Sequence, residues 1–371
     1  MPEAQLYEVA LGLLPGIGNL TTRLLISYCG SAKAVFATPK GKLLKIPNIG
    51  HTTVSVISQQ AQEALRKAEE TIRKAERQQV QLLFYTHPNY PSRLKTIADA
   101  PCLLYYQGSA SLNPDKTVGL VGTRKATDYG RQMTAKIVQD LQKHRPLIVS
   151  GLAYGIDIAA HRAALQESFP TVGVMASGPD IIYPSLHRKT AEKMLEGGGL
   201  LTEYGFGVKP DAPRFPARNR IIAALSDCTI IVEAARKGGA LITADLAHGY
   251  NKDVMAVPGN VDAPASEGCN YLIQSLRAAI YTKVEDLEQL MNWDVGSGKG
   301  LQKPLTSRYD PDEFSEEEYS VIRLLADSKE ELVDAISWKT QVPVSRLASL
   351  LLGLEFRGVV KVLPGKKYIL V

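Results

Sequence analysis

Residues 118–130 read Val-Gly-Leu-Val-Gly-Thr-Arg-Lys-Ala-Thr-Asp-Tyr-Gly, and the predicted fold follows from this stretch. An apolar run over 117–121 ends at Gly122, and a helix-like pattern begins near Tyr129, which predicts a strand, a tight turn and a helix. Ligands bind at the carboxyl ends of such strands in open parallel sheets, and backbone N–H groups at a helix start attract anions. The turn lacks the full Gly-x-Gly-x-x-Gly spacing of a dinucleotide site, but it carries Arg124, whose planar guanidinium suits phosphate.

Outward from this stretch, strand-like and helix-like patterns alternate over residues 87–290. The candidate strands are 103–106, 117–121, 146–149, 171–175, 200–202, 228–232 and 253–256, and candidate helices start near Tyr129, Gly155, Leu186, Ala217 and Thr243. Such alternation predicts a mostly parallel sheet with helices on both faces. We therefore expect a Rossmann-like, doubly wound α/β domain over 87–290, a fold that by itself does not establish a function.

Three further turns at strand ends carry small or cationic residues. The turn over 149–157 is rich in small residues, the turn over 214–226 places Phe215 among three arginines, and the turn over 233–243 has a glycine pair before a threonine. Arginine forks near a helix start bind phosphate, and an aromatic ring can stack on a base. The turns together predict a site for several consecutive phosphates. The candidate residues are Gly122, Thr123, Arg124, Ser150, Gly151, Gly155, Phe215, Arg218, Asn219, Arg220, Lys237, Gly238, Gly239 and Thr243.

Asp157 and His161 lie four residues apart and are expected on one helix face. Such a pair could serve acid–base catalysis, but the sequence places no nucleophile beside them. Asp157 at a helix start is better explained as a cap for backbone N–H groups. We therefore predict structural roles for both residues and no catalytic residue.

Residues 1–86 contain two glycine turns about thirty residues apart, Leu-Pro-Gly-Ile-Gly at 14–18 and Ile-Pro-Asn-Ile-Gly at 46–50. Helix-like segments flank both turns, a pattern typical of paired helix-hairpin-helix (SAM-like) motifs. In such motifs, open glycine turns let backbone N–H groups approach a DNA phosphate. A helical bundle without a DNA contact is the alternative. The net charge of +4 in this segment favours an accessory nucleic-acid contact.

The C-terminal part divides into a linker and a last small domain. Residues 291–314 are rich in Gly, Asp, Lys and Ser and are predicted to be a flexible linker. Residues 315–371 predict three helices and a β-ribbon closed by Pro-Gly-Lys-Lys at 364–367, which is typical of a winged helix. The net charge there is zero. Because DNA-binding surfaces are usually basic, regulation or protein contact is as consistent with this domain as DNA binding.

The composition of the 371 residues sets outer limits on function. The net charge of +5 is compatible with a polyanionic partner. No apolar run approaches the roughly 18 residues of a membrane span, and no secretory signal is visible. The four cysteines are far apart and lack metal-type spacing. We expect a cytoplasmic protein with reduced cysteines, no bound metal, no cofactor and no membrane contact.

Taken in order, the motifs resemble those of the DNA-processing protein A (DprA/Smf) family. They are Val-Gly-Thr-Arg (121–124), Ser-Gly-Leu-Ala-Tyr-Gly-Ile-Asp (150–157), Phe-Pro-Ala-Arg-Asn-Arg-Ile-Ile-Ala (215–223), Val-Glu-Ala (232–234), and Val-Pro-Gly (257–259) with Gly-Cys-Asn (268–270). The resemblance implies a non-enzymatic mediator that binds and protects incoming single-stranded DNA, helps load RecA in natural transformation, and forms a homodimer. By motif match, Arg124, Phe215, Arg218, Asn219 and Lys237 line the DNA pocket.

The chain departs from the family pattern at three positions. Ala212 stands where many members have a basic residue, Gly238 where serine is common, and Ala224 where glycine is common. The first departure leaves the detailed phosphate path open.

Two other functions remain alternatives at this stage. One is a nucleoside-monophosphate-cleaving enzyme of a related Rossmann-like family, although Glu233 here precedes the glycines instead of following them. The other is a transcription regulator that acts through the winged helix.

Overall fold

The computed structural model describes residues 2–293, 314–328, 331–363 and 367–370. The chain forms two compact units, 1–293 and 294–371. Most of the predicted linker, 291–314, and most of the predicted 364–367 turn lie outside the described residues. Within the described ranges, every helix is too short or too polar to cross a membrane.

The first unit begins with five helices. They are α1 (Glu3–Leu13), α2 (Asn19–Cys29), α3 (Ala32–Ala37), α4 (Lys40–Leu43) and α5 (His51–Arg77). Both predicted glycine turns join helices, because Gly18 immediately precedes α2 and Gly50 immediately precedes α5. The apolar side chains of α5 recur every three to four residues, so one face of this long helix is buried.

A mostly parallel sheet forms the centre of the first unit. Its strands are β1 (Gln81–Phe84), β2 (Leu103–Gly108), β3 (Thr117–Val121), β4 (Leu147–Gly151), β5 (Thr171–Val174), β6 (Gly199–Thr202), β7 (Cys228–Ile231), β8 (Asp253–Ala256) and β9 (Ala279–Ile280). Among the described residues, the strand order is β1-β2-β6-β5-β4-β3-β7-β8-β9. The β1–β2 and β2–β6 pairs are antiparallel, and the remaining pairs are parallel.

The sheet carries helices on both faces, as the alternation predicts. The helices are α6 (Ser92–Lys95), α7 (Asp128–Asp140), α8 (Ile156–Gln166), α9 (Arg188–Gly197), α10 (Arg214–Leu225), α11 (Gly239–Gly249), α12 (Glu267–Gln274) and α13 (Val284–Met291). Side chains of α10, α11 and α12 share one core with the sheet. Those of α7, α8 and α13 share another. The predicted Rossmann-like fold is therefore confirmed.

Two strands of this sheet were not predicted from the sequence. Strand β1 lies within 1–86, which was expected to be helical, and it pairs antiparallel with β2. The two-residue β9 adds to the other edge of the sheet. The two residues of β9 are too few to show a strand period.

The second unit is described by itself. It contains α14 (Glu316–Asp327), β10 (Glu331–Leu332), α15 (Val333–Thr340), α16 (Val344–Phe356), β11 (Val360–Leu363) and β12 (Lys367–Leu370). Within the described residues, its three strands pair antiparallel in the order β10-β12-β11. Three helices followed by a β-ribbon form a winged helix, as predicted.

Candidate nucleic-acid interface

A cleft of about 610 Å³ lies at the carboxyl edge of the parallel sheet. The chain continues from β3 to β4 on one side, and β7 lies on the other side of β3. This is the position where strand order reverses and where such sheets bind ligands. Nine of the fourteen predicted site residues line the cleft: Gly122, Thr123, Arg124, Phe215, Arg218, Asn219, Gly238, Gly239 and Thr243.

Glu233, two residues after the end of β7, holds the turn that follows β3. Its carbonyl accepts the Thr123 N–H at 2.8 Å. Its carboxylate accepts the Thr127 N–H at 2.9 Å and also the Thr127 hydroxyl. Glu233 is buried and does not line the cleft. It therefore fixes the shape of the turn, a role that the sequence pattern did not reveal.

Arg124 and Phe215 form a cation–aromatic pair at the cleft. The Arg124 guanidinium carbon lies 4.8 Å from the Phe215 ring centroid. The Tyr183 ring, also in the lining, lies 5.9 Å from Phe215 and is half exposed. In the described part of the chain, Arg124 has no ion-pair partner. A free guanidinium and two accessible rings can take a phosphate and a base. The sequence pattern did not single out Tyr183 as a site residue.

Arg218 lies in the floor of the cleft and is only 4% exposed. Its Nη1 donates to the Val174 carbonyl, its Nε donates to Asn219 Oδ1 at 3.1 Å, and its Nη2 lies 3.9 Å from Asp157 Oδ2. Burial raises the pKa of Asp157, and the Arg218 charge opposes that shift. Burial likewise lowers the pKa of Arg218. Most of this guanidinium is therefore engaged within the protein.

Three of the predicted small residues shape the cleft from behind. The buried Ser150 hydroxyl donates to the Leu120 carbonyl at 2.5 Å, and the Gly151 carbonyl accepts from His161 at 2.6 Å. Gly155 has a φ of 79°, and a Cβ there would lie 2.1 Å from the Thr123 carbonyl oxygen. Gly155 thus allows the start of α8 to pack against the turn after β3.

Arg220 and Lys237 lie outside the cleft lining. Arg220 donates to the Glu203 carboxylate and, at 2.9 Å, to the Asp99 carbonyl. Two positions along a helix correspond to a rotation of about 200°, so Arg220 and Arg218 emerge on nearly opposite sides of α10. The structure therefore does not bring Arg220 to the cleft that Arg218 lines. Lys237 is exposed on the loop before α11.

His161 and Asp157 do not bond to each other. His161 donates Nε2–H to Gly151 at 2.6 Å, and its Nδ1 lies 2.7 Å from the Thr171 hydroxyl. Burial lowers the pKa of His161 to about 4. Asp157 accepts the Ala153 N–H at 3.3 Å. These contacts give both residues structural roles.

The start of α11 contributes an anion-attracting wall to the cleft. Gly238 is the N-cap residue and makes no side-chain cap. The first N–H groups of a helix lack partners within the helix and carry partial positive charge. Gly238, Gly239 and Thr243 all line the cleft on this side.

The chain matches known proteins over both units. A sequence model of DNA recombination-mediator protein A matches residues 81–292, and one of the DprA winged helix domain matches residues 310–366. Protein Smf of Synechocystis is 30% identical over 395 residues, covering 98% of each chain. The DNA processing protein DprA of Streptococcus pneumoniae is 40% identical over 198 residues, covering 53% of this chain and 70% of that protein.

Two solved structures are similar as well. The X-ray structure of DprA from Streptococcus pneumoniae has a TM-score of 0.66 at 32% identity, covering 76% of this chain and 97% of that one. A structure of DNA processing protein A from Helicobacter pylori, described by its single-stranded DNA-binding mode, has a TM-score of 0.53 at 31% identity. It covers 58% of this chain and 97% of that one.

Proposed function

The chain belongs to the DNA recombination-mediator protein A (DprA/Smf) family, and from that premise we propose that it binds single-stranded DNA in the cleft of its first unit. The Arg124–Phe215 pair beside the open start of α11 carries the proposal. We further propose that the protein is a cytoplasmic recombination mediator, not an enzyme. In this role it protects incoming DNA in natural transformation, forms a homodimer and helps load RecA. Membership of the family supports these finer roles.

The cleft offers both kinds of contact that a single strand needs. Arg124 and the N–H groups at the start of α11 attract phosphate oxygens. Phe215 and Tyr183 offer ring faces to bases, and each stacked base contributes roughly 1–3 kcal/mol. In a duplex the base faces are already stacked on one another. The cleft therefore favours a single strand.

The cleft is poorly equipped for the alternative, cleavage of a nucleoside monophosphate. Glu233 is buried behind the turn and bonded to Thr127. Asp157, in the lining, lies beside the Arg218 cation. Asp211, the other carboxylate in the described lining, is exposed and accepts the Ala212 N–H at 2.8 Å. General acid–base catalysis needs a positioned, available group, so the geometry favours binding over bond cleavage.

The winged helix does not favour the second alternative, a duplex-reading regulator. The exposed side of α16 includes Leu352 and Phe356, which are 55% and 82% exposed. Arg346 on the same helix pairs with Glu317 at 2.7 Å. Helices that read duplex DNA present cations and amides to base edges, and this exposed side is largely apolar.

A salt titration of DNA binding by the full chain tests the proposed function. Fluorescence anisotropy would compare a labelled single strand of mixed sequence with its duplex. We expect tighter, salt-sensitive binding of the single strand. Arg124→Gln should weaken binding to all single strands alike and lower the salt slope by about 0.7, the value for one phosphate contact on single-stranded DNA.

Arg145→Gln is the matched control for Arg124→Gln. Arg145 is also stacked on a ring, 5.2 Å from the Phe169 centroid. It precedes β4, however, and so lies at the amino-terminal ends of the strands, opposite the cleft. Its loss should leave binding unchanged. Equal affinity for duplex and single strand, or no binding, would contradict the proposal. Release of adenine from AMP would instead support the enzyme.

A further inference from the structure

A second arginine–aromatic stack lies beside the cleft, and we propose that it takes the next part of the bound DNA strand. The guanidinium carbon of Arg236 is 3.8 Å from the Tyr271 ring centroid, closer than Arg124 is to Phe215. Neither residue is among those that line the cleft. This inference rests on the proposed function and extends its DNA path toward β8.

The guanidinium of Arg236 is available to a ligand. Arg236 is exposed on the loop between β7 and α11. In the ranges that the structure describes, it has no ion pair and donates no side-chain hydrogen bond. Glu267 lies one helical turn before Tyr271 on α12 yet is not within ion-pair distance of Arg236. A stacked guanidinium with free donors suits phosphate and can itself stack on a base.

The stack is held in place by close backbone packing. The Gly268 N–H donates to the Ala234 carbonyl at 2.7 Å. A Cβ on Gly268 would lie 2.7 Å from the carbonyl oxygens of both Ala234 and Ala235. The start of α12 therefore lies directly against the loop that carries Arg236. This contact fixes Tyr271 relative to Arg236 before any ligand arrives.

The position continues the cleft along the sheet edge. Ala235 and Gly238, on either side of Arg236 in sequence, both line the cleft. Tyr271 follows β8, and β8 pairs with β7, which pairs with β3. Neighbouring strands are about 4.8 Å apart, so β7 and β8 end roughly 5 and 10 Å along this edge from the end of β3. A DNA strand that continues from Phe215 past the start of α11 reaches Arg236 next.

A dependence on oligonucleotide length tests this extension. Oligothymidylates of increasing length would be titrated against the full chain and against Arg236→Gln and Tyr271→Leu. For the shortest oligomer that binds, both variants should match the unmodified protein. For longer oligomers, each variant should weaken binding by about 5- to 150-fold, the effect of losing one stacking contact. Arg236→Gln should also lower the salt slope by about 0.7 for the longer oligomers only.

Matched variants separate this inference from the proposed function. Tyr271→Phe keeps the ring and should retain affinity, and Arg145→Gln should have no effect. If Arg124→Gln weakens binding while Arg236→Gln binds every length normally, the second stack is overturned and the cleft stands. If the unmodified protein binds no oligomer, the proposed function itself fails. Because Arg236 is exposed, its variant decides the matter even if Tyr271→Leu does not fold.

Discussion

Replacing Arg218 should lower the stability of the first unit. Arg218→Ala removes donors from the Val174 carbonyl and from Asn219, and it leaves the buried Asp157 without its nearby cation. Removing one partner of a buried ion pair costs about 3–5 kcal/mol. The Nη2–Oδ2 separation of 3.9 Å is long for a direct bond, which places the expected cost near the lower end. At about 2–4 °C per kcal/mol for a large domain, the melting temperature should fall by roughly 6–12 °C.

The two tryptophans make this loss measurable in the full chain. Trp293 lies against His144 in the first unit, with ring centroids 5.2 Å apart, whereas Trp338 is in the second unit. In a Trp338→Phe background, tryptophan fluorescence follows unfolding of the first unit. Each variant would be melted in that background near neutral pH.

A double variant then distinguishes charge from packing. Arg218→Met with Asp157→Asn removes both charges and keeps similar volume, so it should recover most of the lost stability. An Arg218→Ala protein that melts with the unmodified protein would refute the reasoning, because the arginine would then be dispensable beneath the cleft. A double variant no more stable than Arg218→Ala would refute the charge argument alone.

Three further outcomes follow from the site. Phe215→Ala should weaken single-strand binding by about 1–3 kcal/mol without unfolding the protein, whereas Phe215→Tyr should retain affinity. Fluorescence anisotropy measures the affinity, and thermal melting measures the stability. Arg220→Ala should bind DNA normally but lose about 1–3 kcal/mol of stability, because Glu203 loses its partner; weaker DNA binding at unchanged stability would contradict its placement. His161 has a folded pKa of about 4, below its unfolded value of about 6.5, so the unfolded chain binds more protons between these values and stability falls as pH drops. The loss from pH 7 to 5 should be about 2 kcal/mol, and urea titrations of His161→Gln should show a smaller pH dependence.

The sequence could predict the fold because its signals are local and repeated. The apolar run before Gly122 and the helix pattern after it define one strand–turn–helix unit, and the later units repeat it. Strand β1 could not be predicted this way, because its register depends on pairing with β2 and not on its own four residues.

The site could be predicted only at the level of turns. The motif around Phe215 identified the right segment, but the direction of each arginine depends on how α10 packs. Burial of the Ile221–Ile222 side against the sheet directs Arg218 into the floor and Arg220 toward Glu203. The structural role of Glu233 could not be predicted, because its hydrogen-bond partners, Thr123 and Thr127, lie more than a hundred residues away in the chain.

The grip of Glu233 on the turn after β3 has a consequence for the thermodynamics of recognition. Through its backbone and its carboxylate, this residue joins the segment after β7 to the turn after β3. The protein therefore loses little conformational entropy when a ligand enters the cleft. The entropy lost on binding is then borne by the nucleic acid, since a flexible strand must give up many conformations to follow a stiff groove. Strands that already stack strongly on themselves, such as oligoadenylates, must also break that stacking. Among single-stranded DNAs of equal length and charge, affinity should therefore depend more on the flexibility of the DNA than on hydrogen bonds to particular bases.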